Sequence, residues 1–568
     1  MKISKPKYSS NNFEVRLISL FVLFNGIYLV GSTLIRQLIA NHRFADITYF
    51  SNDLNLIVAL SLIYLASLLA RRKKSAFYFS IVAYTIYFLS NIENYLNLSS
   101  LKHIGIGLFL RELLIPVIIL LLLLLNRPKF VVKSDIQSFK TAVQLSLLLI
   151  VIVGIFGTAG FIVLGKSGFH RNLSILTAVH YTFDQVNLTT NKPLHVYSPK
   201  AQLFTESLRI ISVFSLIYVF LLFFKPIKDK YSSRTNLERF RNLLYSQEDS
   251  RSEDFFKIWP EDKNYFFDQT RTSGLGYRVN HRNALVLGGP TGKRAKFRQL
   301  LVEFNDFCKS NDWTWAVIHT EHKYFDIYES LGFKKQLIGK EAIVDLDNFI
   351  KNQKEDKYFR NILNRFNSRG YSYSLIKPPH ETTVLLRLKQ ISDQWLRTKG
   401  HVERGFAMGW FNFKYINLCD LIVAKDNQGI IQGFVNIIPA PYDKTEATYD
   451  LMRSTKEAAG NVNDFLVLSL INELKHQGYK RLNMGLCPLV GVNDEKTSDS
   501  QLINGLLKLA YANGNHFYSF NGLYRFKNKY YPKWRSRYIL YRGGITQFSK
   551  INRSLMLIMR KSASSKRF

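Results

Sequence analysis

Residues 447–466, ATYDLMRSTKEAAGNVNDFL, set Asp450 and Arg453 three positions apart where a strand-like run meets a polar loop. A carboxylate there can accept a hydroxyl proton or hold an ammonium, and a guanidinium can stabilise charge on an ester or phosphodiester. Alternate residues of a strand share a face, so both reach one cavity only if the strand ends or bulges near Met452. Otherwise they form a structural ion pair at a strand end. Asp464 is expected as the N-cap of the next helix, facing the same loop. Glu403 and Arg404, ahead of a Gly405-Phe406 turn, are further candidates. So are Arg525 and Lys527 in YRFKNKYYPKWRSR (524–537), where cations alternate with aromatics. That mixture suits stacking on a nucleic-acid end with phosphate contact, and equally a solvated basic strip. His401 and His516 are isolated, and no metal-ligand spacing occurs, so no metal is expected.

These candidates sit in a chain of 568 residues, too long for one compact domain. Mean hydropathy is -0.05, but it averages two unlike parts. Up to about residue 225, six apolar segments are long enough to span or nearly span a bilayer: 17–35, 54–70, 75–97, 104–125, 141–165 and 202–224. With the N-terminus inside, cytoplasmic loops 1–16, 71–74, 127–140 and 225–234 carry 16 Lys and Arg in 44 residues. The opposite loops carry 7 in 59. That asymmetry keeps the N-terminus and residues 226–568 in the cytoplasm. The first segment has no small-residue cleavage site and reads as an anchor. Arg111, Glu112 and Arg209 are ionisable groups near or within apolar sequence, suited to headgroups, a polar cavity or a structural pair. GIFGTAG (154–160) repeats glycine every third residue, as close helix packing needs. The net charge of +35 favours a polyanionic partner, either nucleic acid or anionic lipid. Cys308, Cys419 and Cys487 lack the paired spacing of a disulfide framework or zinc site.

After a charged linker (226–261), strands and helices alternate. A first unit (262–380) holds NALVLGG, the helix KFRQLLVEFNDFCKSN and the strand WTWAVIHT. A second (381–568) holds the hairpin DLIVAKDNQGIIQGFVNII, strand EATYDLMR, helix DFLVLSLINELKHQG and strand YKRLNMGL, with a basic tail. The tail repeats Phe548, Ile551, Leu555 and Ile558 at helical spacing, which suits either a bilayer surface or a cap on the domain. GGPTGKR (288–294) is one residue short of a P-loop and lacks its hydroxyl, so it reads as a turn.

The order hairpin, strand, helix, strand resembles the GNAT acyltransferase fold, used twice. The loop STKEAAGNVN lacks the glycine cradle that would hold coenzyme A pyrophosphate. HVERGFAMGWF, GFVNIIP, TYDLMR, NDFLVLSLINELKHQGYKRLNMGLCPLVGV and GLYRFKNKYYPKW then stand in the order found in the phosphatidylglycerol lysyltransferases, the synthase part of multiple peptide resistance factor proteins. LVLGGPTG and GKEAIVDLDNF fit upstream, and FGTAGFIVLGKSGF fits a late membrane helix. The chain departs from the family at Gly288-Gly289-Pro290, where an acid is absent, at Asn463, and in the residue after Gly485.

The resemblance implies a membrane α-helical bundle of six transmembrane helices (1–225) followed by a cytosolic α/β tandem GNAT-like domain. It implies a bacterial cytoplasmic-membrane enzyme that moves an aminoacyl group, lysyl above all, from aminoacyl-tRNA to phosphatidylglycerol. The tRNA is a co-substrate, no other cofactor is expected, and self-association is compatible with the reading. Asp450 and Arg453 would be the catalytic pair, with Glu403, Arg404, Asp464, Arg525 and Lys527 binding substrate. The longest relatives add a lipid-flipping domain, whereas this chain is expected to be the synthase alone. A transporter with a regulatory cytosolic domain, and a transferase with another acceptor, are the competing readings. The amino acid transferred is left open.

Overall fold

The structure, a computed structural model, describes residues 13–39, 52–97, 113–132, 136–186, 196–223, 234–399, 402–492, 505 and 520–564. Arg111, Glu112, His401 and His516 lie outside them. The chain divides into two compact units, Met1–Lys228 with Lys309–Asp312, and Asp229–Cys308 with Trp313–Phe568.

The first unit is helical. Among the described residues three helices are long and apolar enough to cross a membrane: Phe13–Gly31, Lys140–Phe169 and Pro199–Leu221. Val58–Ala70 and Ile115–Leu125 are apolar but shorter. Three of the six expected spans are thus supported among the described residues, and residues 104–112 of the fourth lie outside them. Lys74–Asn97 forms a full helix, but its polar end SNIENYLN dilutes the apolar stretch. Two glycines of GIFGTAG act as that motif suggests. A Cβ on Gly157 would lie 2.3 Å from Thr182 Cγ2, and one on Gly160 would lie 2.0 Å from the Phe204 ring, so helices at these points touch backbone. Gly154 has open space around it.

The second unit is built on one 12-stranded sheet. Its strands are β1 (Asn264–Phe267), β2 (Ser273–Asn280), β3 (Asn283–Leu287), β4 (Thr291–Gly292), β5 (Thr314–Thr320), β6 (Lys334–Asp345), β7 (Ser372–Ile376), β8 (Asp420–Lys425), β9 (Ile431–Ile437), β10 (Glu446–Ser454), β11 (Arg481–Pro488) and β12 (Lys533–Tyr541). Their order is β1-β2-β3-β5-β12-β6-β11-β10-β9-β8-β7, with β4 beside β2. Two pairs are parallel, β3 with β5 and β10 with β11. The centre is an exchange. β12, late in the chain, lies between β5 and β6, and β6 turns its other edge to β11. β7, placed by sequence in the first unit, is the edge strand beside β8. A cut near residue 380 therefore does not divide the sheet into separate halves.

The segment expected as a linker joins the core from Arg234 onward, because Phe240, Leu244, Phe255, Phe256 and Trp259 recur among its charges and are buried. In the helix Ile545–Ser564, Phe548, Ile551, Leu555 and Ile558 bury into the same core, so the tail caps the domain.

Each parallel pair opens into a fork. β10 and β11 pair from Glu446↔Arg481 to Thr448↔Asn483 and then part. β10 continues along β9, while β11 continues along β6. β3 and β5 likewise pair up to Leu287↔Ile318, after which Gly288 turns the chain at a φ of 67°. One such splayed parallel pair lies in each of the two segments expected as similar units.

Candidate active site

A cavity of about 700 Å³ is lined by residues from both forks, Leu287 to Gly289 facing Ile318 to Glu321, and Thr448 to Arg453 facing Asn483 to Leu486. Asp450, Arg453, Glu403, Arg404 and Lys527 all line it. Asp464 and Arg525 are not among its lining residues.

Asp450 and Arg453 share the cavity because β10 is irregular. Its register against β9 shifts between Tyr449 and Met452. The shift frees two backbone N–H groups, and the fully buried Asn436 captures both. Asp450 N donates to Asn436 Oδ1 at 3.2 Å and Leu451 N donates to the same atom at 2.7 Å. One polar side chain on the neighbouring strand thus satisfies the bulge that aims the pair.

The Asp450 carboxylate accepts hydrogen bonds from Tyr415 Oη (2.8 Å) and Gly409 N (2.9 Å), both at Oδ2. Burial raises its pKa to about 7, although Tyr415, Gly409 and Arg453 oppose the rise. A carboxyl that titrates near neutrality can take and return a proton at working pH.

Arg453 is 4 % exposed and does not pair with Asp450. Its two terminal nitrogens donate to Glu403 Oε1 and Oε2, each at 2.9 Å, and it also bonds Ser392 Oγ. Its guanidinium carbon lies 5.1 Å from the centre of the Trp395 ring. Glu403 Oε1 additionally accepts from Phe411 N at 3.2 Å. Two residues chosen separately from sequence are therefore one bidentate ion pair.

Lys527 lies deeper than a surface strip would place it. It is 5 % exposed, and its Nζ donates to Gly485 O (3.0 Å) and Leu486 O (3.1 Å) at the second fork. Burial lowers its pKa to about 8, with Cys487 and Glu341 opposing. Arg525 lies exposed on the helix Phe520–Asn528. Asp464 is not the N-cap. The helix Val462–His476 begins after Asn461, at a φ of 69°, and Asp464 stands in its first turn. There it accepts from Tyr530 Oη (2.6 Å) and Tyr358 Oη (3.0 Å) and pairs with Lys529, tying helix to neighbours.

The same cavity is lined by a network that sequence reasoning missed, Glu253, His319, Glu321, Glu341 and Arg537. Arg537 Nη2 bonds Glu253 (2.5 Å) and Glu341 (2.7 Å), and Nη1 bonds Glu321 (3.0 Å). His319 Nε2 lies 2.7 Å from Glu341 Oε1. Burial would lower the His319 pKa, but Glu253 and Glu341 outweigh it and raise it to about 9. Asn483, at the second fork, donates to Glu341 (3.2 Å) and Glu253 (3.4 Å). Ligand atoms of Glu253, His319 and Glu341 lie within 4.8 Å of one another, a spacing that could hold a metal ion. Both carboxylates already carry the Arg537 guanidinium, so the group is better suited to a charge-balanced internal network. Its members span residues 253 to 537, and no local spacing could have announced them.

Comparison with known proteins adds identity to this geometry. The family described as phosphatidylglycerol lysyltransferase, C-terminal, matches residues 241–541. The chain is similar to a phosphatidylglycerol lysyltransferase of Bacillus subtilis (strain 168), 28% identical over 545 residues, covering 95% of this chain and 58% of the relative. It is similar to one of Staphylococcus aureus (strain MSSA476), 29% identical over 304 residues, 54% of this chain and 36% of the relative. The chain thus spans less than two thirds of these curated relatives. Among solved structures, L-PGS from Bacillus licheniformis aligns with a TM-score of 0.52 and 28% identity, covering 59% of this chain and 99% of that one. A C-terminal domain of the DUF2156 class from Agrobacterium fabrum aligns at 0.50 and 24% identity, 58% of this chain and 98% of that one, a likeness of fold.

Proposed function

The chain belongs to the phosphatidylglycerol lysyltransferase C-terminal family, and on that premise we propose that it transfers an aminoacyl group, lysyl first among them, from aminoacyl-tRNA to a hydroxyl of phosphatidylglycerol. The observation that carries the reading is the bulge of β10, which turns Asp450 and the Glu403-anchored Arg453 into one cavity at a strand fork.

The reaction exchanges one ester for another. The bond from the acyl carbon to the tRNA ribose oxygen breaks, a bond to the lipid oxygen forms, and the lipid hydroxyl proton ends on the ribose. No nucleotide hydrolysis or coenzyme is needed at this step. Asp450, near half-ionised at neutral pH, takes the hydroxyl proton or holds the aminoacyl ammonium. Arg453 and Lys527 supply positive charge for the developing oxyanion or the lipid phosphodiester. Arg404, on the same cavity, is assigned to substrate contact.

A basic face supports the tRNA donor. The helix Lys357–Ser368 exposes Lys357, Tyr358 and Arg360. Lys529 Nζ reaches Tyr358 Oη at 3.2 Å, and Tyr531 Oη donates to Asp356 at 2.6 Å, joining this helix to the segment that carries Arg525. Cations beside exposed aromatics suit phosphate contact and base stacking. We assign the protein to the bacterial cytoplasmic membrane, with multiple spans and the catalytic unit inside. A lysylated product would make the membrane less anionic and less attractive to cationic antimicrobial peptides.

The test supplies membranes containing the protein with labelled lysyl-tRNA and follows label into extracted lipid. Labelling that RNase and Asp450→Ala each abolish is the expected result. Unlabelled phosphatidylglycerol overturns the proposal and favours a transporter, whereas labelled lipid indifferent to Asp450→Ala overturns the role given to Asp450.

A further inference from the structure

In the membrane unit, loops that charge counting assigns to one side meet. Lys74 N donates to Val132 O at 2.9 Å, and Val132 N donates to Arg72 O at 3.1 Å. Arg72 Nε donates to Lys129 O at 2.6 Å, and Lys129 Nζ pairs with Glu14 at 2.9 Å. Segments 71–74 and 127–132 and the start of the first helix are therefore locked together.

Beside this junction is a cavity of about 340 Å³. Phe77, Tyr78, Pro128, Phe130 and Val131 wall it, and the exposed Lys74 and Arg127 also line it. The Phe77 and Phe130 rings pack 5.1 Å apart and keep the wall closed. No carboxylate occurs among the described residues lining it, and Glu14 is engaged by Lys129. Two exposed cations over an aromatic cleft, at the ends of apolar helices, match a ligand that is a phosphodiester at one end and hydrocarbon at the other.

We propose that this cleft binds the headgroup of an anionic glycerophospholipid. Lys74 and Arg127 hold the phosphate oxygens, and Phe77, Tyr78 and Phe130 wall the glycerol and the first carbons of the chains. A zwitterionic headgroup would bring its ammonium against the same two cations, so the site selects by net charge. All its residues lie in the membrane unit, and it does not depend on the transfer reaction.

The test uses the full-length protein, delipidated in detergent and equilibrated with mixed micelles of equal phosphatidylglycerol and phosphatidylethanolamine. Retained lipid is extracted and quantified. Wild type is expected to enrich phosphatidylglycerol, and Lys74→Gln with Arg127→Gln to cut that enrichment about 30-fold, near fivefold per cation. Lys74→Arg with Arg127→Lys should preserve it, as should Lys351→Gln with Lys354→Gln on the other unit. Equal retention of the two lipids by wild type, or undiminished enrichment in the glutamine pair, overturns the proposal. If the pair does not fold, Arg127→Gln alone carries the test, with about a fivefold loss expected.

Discussion

Glu403 grips Arg453 through two parallel hydrogen bonds of 2.9 Å, across a sequence separation of fifty residues. The acid holds the guanidinium over the Trp395 ring and fixes where its charge faces the cavity. Removing either partner should cost nearly as much activity as removing both. Glu403→Gln and Arg453→Met are each expected to lower transfer by about 100-fold. A double-mutant cycle on stability should give a coupling of about 3 kcal/mol. Additive losses in the double variant would show that the two residues act independently.

Asp450 makes the reaction pH-dependent on the acid side. Its carboxyl titrates near pH 7 because burial disfavours the charge, so transfer should rise as pH climbs through 7. Tyr415 donates to the charged form, and Tyr415→Phe removes that support. The sign is fixed: losing a donor to the carboxylate raises its pKa, so the acid limb must move upward. A limb that stays in place or moves down in Tyr415→Phe would rule out Asp450 as its source.

Lys527 should govern the alkaline limb. Burial lowers its pKa to about 8, so its positive charge is lost as pH rises through 8. Lys527→Arg keeps the charge at all accessible pH and is expected to flatten that limb, at some loss of rate from altered geometry. An unchanged alkaline limb in Lys527→Arg would assign it elsewhere.

Relations within one short motif are legible in sequence, whereas those set by strand neighbours are not. Asp450 and Arg453 stand within one short motif, so their relation was visible, including the need for a bulge. The device that satisfies the bulge, Asn436, lies on the adjacent strand, and its motif GFVNIIP does not say which backbone groups it meets. Asp464 fits an N-cap pattern, but the left-handed Asn461 starts the helix earlier and two tyrosines and Lys529 claim the carboxylate. The central exchange was illegible for the same reason. β12 pairs with β5 and β6 from some 200 residues away, and such pairings leave no periodic trace.

Arg537 should be the keystone of that exchange. It sits on β12 and binds Glu253, Glu321 and Glu341, with its side chain 3 % exposed. Arg537→Met removes the one cation shared by all three acids and leaves them crowded, and a loss of about 3–5 kcal/mol is expected in denaturant midpoints. His319 adds a pH term. Its folded pKa, about 9, exceeds the unfolded value, so its contribution is full below about pH 6.5 and vanishes as pH rises through 9. His319→Gln should abolish that alkaline loss. An Arg537→Met protein as stable as wild type would show that the network does not brace the sheet.

Gly409 offers a probe of how the site places Asp450. Its N–H donates to Asp450 Oδ2 at 2.9 Å, and a Cβ there would lie 2.6 Å from that oxygen and 2.3 Å from the Tyr415 ring. Its backbone conformation does not demand glycine, so alanine acts by displacement rather than strain. Either Asp450 or Tyr415 must move, and both are needed to set the carboxyl. Gly409→Ala is therefore expected to lower kcat by about 100-fold while costing about 1–3 kcal/mol in stability. Gly460→Ala, where a Cβ meets open space, serves as the matched control and should retain full transfer. Labelled-lipid assays on both variants, beside thermal melts, decide the matter. Wild-type transfer by Gly409→Ala would mean that the placement of Asp450 by Gly409 and Tyr415 does not limit the reaction.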